Sequence, residues 1–147
     1  MKMCRFALVG CFLLAGCQSS PKPDTAAGFG TKAVSLRGTY GVAQGGVTEP
    51  VLKVDETKTG HAFEERITGE WRLDPNVPHV ATESEVKRAL GLDSVTGFPV
   101  FGLANDQEML LKVPAGWTHG ELAAKSGFIL VSGGKAVAAQ KIELGGQ

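Results

Sequence analysis

The chain has 147 residues, 43% of them apolar, with 15 Lys or Arg against 15 Asp or Glu. That length supports one small domain with a modest core rather than two. The even charge balance argues against a nucleic-acid binder, which needs a basic surface to displace counterions.

At the start, Lys2 and Arg5 precede an apolar stretch over 6–15, and Leu14-Ala15-Gly16-Cys17 closes it. A cationic region, an apolar region and small residues before a processing point make up a secretory signal. About a dozen uncharged residues is also well short of the roughly 20 that cross a hydrocarbon core. With the cysteine placed directly after the small residues, the motif resembles the lipobox of bacterial lipoproteins. The resemblance implies a signal peptide over 1–16, cleavage before Cys17 and acylation of its thiol. By the same analogy Gln18, where an aspartate would retain such a protein in the inner membrane, implies transport to the outer membrane with the domain facing the periplasm. Each buried methylene of the attached chains contributes about 0.8 kcal/mol, so two or three chains hold a protein firmly on the bilayer.

Processing of this kind removes Lys2 and Arg5 and leaves 13 basic against 15 acidic residues. Cys4 and Cys11 lie in the signal and Cys17 is used for lipid, so no cysteine remains for a disulfide, a thiolate metal site or a nucleophile. Residues 17–32 form the acylated cysteine and a tether. Its stretch over 18–28 contains Pro21 and Pro23 and has no apolar periodicity, so it cannot bury enough surface to offset its ordering entropy. Residues 33–147 are the expected domain.

Within that domain, 33–54 has a weak strand pattern. Val34 and Leu36 share a face, Val51, Leu52 and Val54 cluster, and Gly38, Gly41, Gly45 and Gly46 interrupt the run. Gly45-Gly46 reads as a turn, because no lysine or helix start follows at the spacing of a phosphate loop. The clearest strand covers 62–73, with Ile67, Trp71 and Leu73 on a core face and Arg66, Thr68, Glu70 and Arg72 opposite. Asp74-Pro75-Asn76 ends it with turn chemistry. Thr82-Glu83-Ser84-Glu85 is a capping box that predicts a helix over 83–90 ending at Gly91. The same logic at Thr118-His119-Gly120-Glu121 predicts a second short helix running to Ser126-Gly127, weakened by Gly120. Strands are expected over 98–104 and 108–113, joined at Asn105-Asp106. A hairpin of 128–131 with 135–144 turns at Ser132-Gly133-Gly134. The expected fold class is α+β: a mainly antiparallel sheet with two short helices on one face or at an edge.

Chemistry is sparse. His61, His79 and His119 form no H-x-x-H or H-E-x-x-H motif, so no metal site and no cofactor is expected. Glu64-Glu65 and Glu83/Glu85 are neighbours that point in different directions and read as solvated charges. No G-x-S-x-G elbow is present, and no catalytic residue is assigned. Phe98, Phe101 and Trp117 lie in glycine- and proline-rich segments and are the candidate partner-binding aromatics, with completion of a small core as the alternative role. The expected function is therefore a non-catalytic, outer-membrane-anchored lipoprotein. It would act as an accessory or adaptor to an envelope protein assembly for secretion, conjugation, appendage or outer-membrane biogenesis. A periplasmic small-ligand binder or enzyme is the alternative.

Replacing the acylation site, Cys17→Ser, is expected to leave uncleaved or mislocalised precursor. Membrane fractionation and intact-mass measurement check this, and normal processing with unchanged membrane retention would contradict it.

Overall fold

The computed structural model describes residues 35–95 and 100–143. The expected signal peptide, Cys17, the expected tether and Phe98 lie outside the described residues.

Eleven strands and one helix follow in order: β1 Gly38–Gln44, β2 Val47–Thr57, β3 Gly60–Ile67, β4 Glu70–Leu73, β5 His79–Val80, α1 Glu83–Leu90, β6 Phe101–Ala104, β7 Glu108–Lys112, β8 Trp117–His119, β9 Leu122–Ala124, β10 Phe128–Ser132 and β11 Lys135–Ile142. Nine strands form one sheet in the order β4-β3-β2-β1-β11-β10-β7-β6-β5, and every pair in it is antiparallel. β8 and β9 form a separate two-stranded hairpin.

The edge strands β4 and β5 are consecutive in the chain. A flat sheet of nine strands would separate its edges by about 38 Å at the usual inter-strand spacing. The few residues between Leu73 and His79 span at most about 20 Å. The sheet must therefore curl, and it forms a half-barrel whose two edges approach each other at a seam.

Alternation along the strands sorts the core into two clusters. Tyr40, Leu52, Val54, Phe63, Leu103, Leu110, Leu130 and Ala139 pack together on the inner face. Register carries that face across the sheet, pairing Tyr40 with Leu52, Val54 with Phe63, and Leu110 with both Leu103 and Leu130. Tyr40 is fully buried, donates its hydroxyl to Leu36 O at 2.7 Å and meets the Phe128 ring edge-on at 5.1 Å. Burial alone pushes its pKa up to about 12.

The outer face differs between the two halves. On β6, β7 and β10 it is apolar, and Ala104, Met109, Leu111, Ile129 and Val131 pack with Val86 and Leu90 of α1 and Ala124 of β9. On β2 and β3 it is polar and open to solvent, with Lys53 bridging Asp55 at 2.7 Å and Glu64 at 2.9 Å. Hydrogen bonds and attraction from Lys53 hold the Asp55 carboxyl below its ordinary value. Such half-exposed pairs are worth at most about 1 kcal/mol each, so this face is held by the sheet rather than by its charges.

α1 ends as its sequence dictates. Glu85 N donates to Thr82 Oγ1 at 3.3 Å, Thr82 N donates back to Glu85 Oε2 at 2.7 Å, and Gly91 closes the helix in the left-handed conformation. The turn at Gly45-Gly46, the β6–β7 hairpin and the β10–β11 hairpin also form where expected.

The fold class is not α+β with two helices. It is mostly antiparallel β, with one helix among the described residues. The segment expected as a second helix is the β8–β9 hairpin, in which Trp117 pairs with Ala124 and His119 with Leu122. Gly120 supplies the reason: it takes a left-handed φ of 57° and turns the chain, while Ala124 is fully buried against the outer core. One or two turns of isolated helix cannot compete with that burial.

The expected single strand over 62–73 is likewise a hairpin. Thr68 at φ 49° and Gly69 at φ 89° form a two-residue turn with both central residues left-handed. A β-branched threonine resists that conformation, which is why the turn is not evident in the sequence. The turn reverses parity, so Trp71 and Leu73 pair beside Arg66 and Glu64 on the outer face, not with Ile67. Trp71 is 37% exposed and is not a core residue.

Gly102 lies where the segment before α1 crosses β6. A Cβ there would sit 2.9 Å from Leu110 O and against the Leu111 side chain and Ala81. Gly102→Ala is expected to lower stability by about 1–3 kcal/mol in urea denaturation, the range for overpacked cores.

Candidate functional site

The candidate site is the seam. Asp74 directly follows the edge strand β4, and Asn105 lies in the turn between β6 and β7, next to the other edge strand, β5. Asn105 Nδ2 donates to Asp74 Oδ2 at 2.6 Å and to Asn76 O at 3.3 Å. On its other oxygen, Asp74 accepts from Asn76 N at 2.8 Å and Asn76 Nδ2 at 3.0 Å. Asn105 Oδ1 accepts from the amides of Gln107 at 2.9 Å and Glu108 at 2.8 Å. One asparagine thus makes the β6–β7 turn and joins it to the far edge. Charge-assisted bonds of this kind are stronger than neutral ones.

Beside this latch, Glu65 of β3 and Glu108 of β7 point inward. Burial, then the neighbouring Asp74 carboxylate, raises the Glu65 carboxyl, which is hydrogen-bonded to Asp74. Glu108 is raised further, to about 7, first by burial and then by repulsion from Glu65; a hydrogen bond from Ser132 opposes these, and repulsion from Asp74 adds the smallest contribution. Its Oε2 is buried and has no hydrogen-bond partner.

A cleft of about 380 Å³ opens at Glu108 and is lined by Glu65, Asp106, Gln107 and Ser132. A second, of about 390 Å³, shares Asp106 with it and runs to Glu85 and Arg88 of α1. Glu85 closes that end. Burial pushes its carboxyl up, but bonds from the Thr82 amide and hydroxyl, with His79, outweigh burial and hold it below its ordinary value. His79 Nε2 lies 3.0 Å from Glu85 Oε1 and ties β5 to the helix. Chemically, the seam can share protons between carboxyls. No group of three or more His, Cys, Asp or Glu among the described residues is arranged to hold a metal ion.

Of the aromatics singled out in the sequence, Phe101 and Trp117 are not brought together. Phe101 is half-buried against the inner cluster, whereas Trp117 packs on the outer cluster and stacks with His119 at 5.9 Å. Exposed apolar side chains gather elsewhere: Trp71, Leu73, Val77 and Val80 lie on the edge strands or the link between them, and Ile67 ends the adjoining β3, with Leu73 67% and Val77 74% exposed.

Neither Glu65 nor Glu85 is a simple solvated charge, and Glu108 was not singled out. Parity was the available signal. Glu65 is two residues from Phe63, and Glu108 two from Leu110, so each shares the face of a buried neighbour.

Comparison with known proteins finds no matching family model, no curated relative and no solved structure of similar fold.

Asn105→Ala removes both halves of the latch. It is expected to cost about 3 kcal/mol in urea denaturation, against about 1 kcal/mol for Asn76→Ala, given typical values for charged and neutral hydrogen bonds. Equal effects would show that the seam contact contributes nothing beyond the local turn.

Proposed function

We propose that this protein is a non-catalytic lipoprotein, anchored in the outer membrane through Cys17, whose half-barrel serves as an adaptor for an envelope protein assembly. The observation that carries the adaptor reading is the gathering of exposed apolar side chains at the free edges of the sheet. Trp71, Leu73, Val77 and Val80, on the edge strands or their link, account for four of the seven exposed large hydrophobic residues among the described residues, and a fifth, Ile67, ends the adjoining β3. Small domains ordinarily scatter such residues, and a concentration of them marks an interaction surface. β4 adds a second attraction, because a terminal strand presents unpaired backbone donors and acceptors to an extended partner segment. The lipobox supports the anchor, and the proline-containing tether lets the domain stand off from the bilayer to meet such a partner.

A small-ligand binder or enzyme is the second reading. It is favoured by the cleft at Glu108, whose carboxyl can hold a proton near neutral pH.

Site-specific photo-crosslinking in the native envelope separates the two. A photoreactive residue at Leu73 is expected to give one discrete protein adduct, lost in a Trp71→Ala background, while the same group at exposed Lys58 gives none. Absence of an adduct at Leu73, or the same products from both positions, would remove the adaptor reading.

A further inference from the structure

Asp74 has two roles that depend on each other. It accepts the hydrogen bond that closes the seam, from Asn105 Nδ2 at 2.6 Å, and it is a member of a three-carboxyl cluster with Glu65 and Glu108. Those carboxyls come from both halves of the sheet: Glu65 from β3 and Asp74 from the end of β4, against Glu108 from β7.

The groups that face Glu108 are few. Glu65 and Asp74 act on it from the first half of the sheet, and the Ser132 hydroxyl bonds it from β10. Asp106 and Gln107, from the adjoining turn, line the same cleft. Two cations stand nearby in register without neutralising it. Arg72 pairs opposite Glu65 but directs its guanidinium to Glu70 at 4.0 Å, and Lys135 pairs opposite Ser132 at an exposed position. Both charges acting on Glu108 are therefore negative, and its Oε2 is buried without a partner. A proton within such a cluster turns repulsion between carboxyls into a hydrogen bond, and its loss restores like charges at close range.

We propose that the Glu65–Asp74–Glu108 cluster makes the seam a pH-sensitive latch, closed while Glu108 holds a proton and released when it ionises beside Glu65 and Asp74. Release draws Asp74 from Asn105 and lets the β4 edge swing away from β5 and β6. The direction follows from linkage: the closed form binds more protons than the open form, so closure is favoured as pH falls and lost as pH rises. Glu108, raised to about 7 by burial and then by Glu65, places the change near neutral pH. The device needs neither the lipid anchor nor a partner, so it stands or falls separately from the adaptor reading.

The Asn105 side-chain amide reports the latch directly. In the full-length chain held in detergent micelles, its solvent exchange is measured by NMR between about pH 5.5 and about pH 8.5 and corrected for intrinsic exchange. The expected result is a loss of protection of at least about tenfold over that rise, while the central Leu110 backbone amide keeps its protection. Glu108→Gln is expected to hold the latch closed throughout, and Glu65→Gln to move the midpoint downward, because the Glu65 charge no longer raises the Glu108 carboxyl. Unchanged protection in the wild type, or an identical loss in Glu108→Gln, overturns the proposal. Should the variants fail to fold, the wild-type Glu108 carboxyl carbon is titrated instead. A midpoint coincident with the loss of protection supports the latch, and titration in the ordinary carboxylate range overturns it.

Discussion

Closure of a curled sheet on itself is the constraint from which the rest of this structure follows. Nine strands laid flat would hold β4 and β5 far beyond the reach of the short link between them, so the chain folds as a half-barrel or not at all. Curling creates an inside, filled by Tyr40, Leu52, Phe63, Leu103, Leu110 and Leu130, and an outside. The sheet is broad enough to curl but leaves a seam, and the seam is held by side chains rather than by a strand ladder. Asp74 and Asn105 supply the contact, and each also builds the turn in which it sits.

The two faces divide the work of stability and function. On β6, β7 and β10 the outer face is apolar and needs a cover, which α1 and the β8–β9 hairpin provide. On β2 and β3 it carries Lys53, Asp55 and Glu64 and needs none. The seam lies where these regimes meet. There the sheet has free edges, exposed apolar side chains and a set of carboxyls that burial drives toward neutrality. An opening that is both apolar at its rim and responsive to protons couples edge availability to pH without any moving domain.

Several of these features are legible in the amino-acid order once parity is tracked. Glu65 alternates with Phe63 and Glu108 with Leu110, so an inward carboxylate on each strand is implied as soon as the strands are accepted. What parity cannot supply is the partner strand. β3 and β7 are separated in the sheet by β2, β1, β11 and β10, and only the curl brings their carboxyls into one cleft. Parity also fails across an unrecognised turn. Thr68-Gly69 shifted Trp71 from the expected core face to the solvent face, because a left-handed threonine is a conformation its residue type disfavours.

By itself the sequence determined the local devices: the Thr82–Glu85 capping box and its helix, the Gly45-Gly46 turn, and the β6–β7 and β10–β11 hairpins. Each depends on residues within a few positions of one another, where propensity, capping and turn chemistry act directly. Tertiary structure alone decided that 117–124 is a hairpin, that Phe101 and Trp117 lie on opposite faces, and that Asp74 meets Asn105. Those outcomes depend on burial against distant strands and on a closure distance imposed by the whole sheet, quantities that no local window of the chain contains.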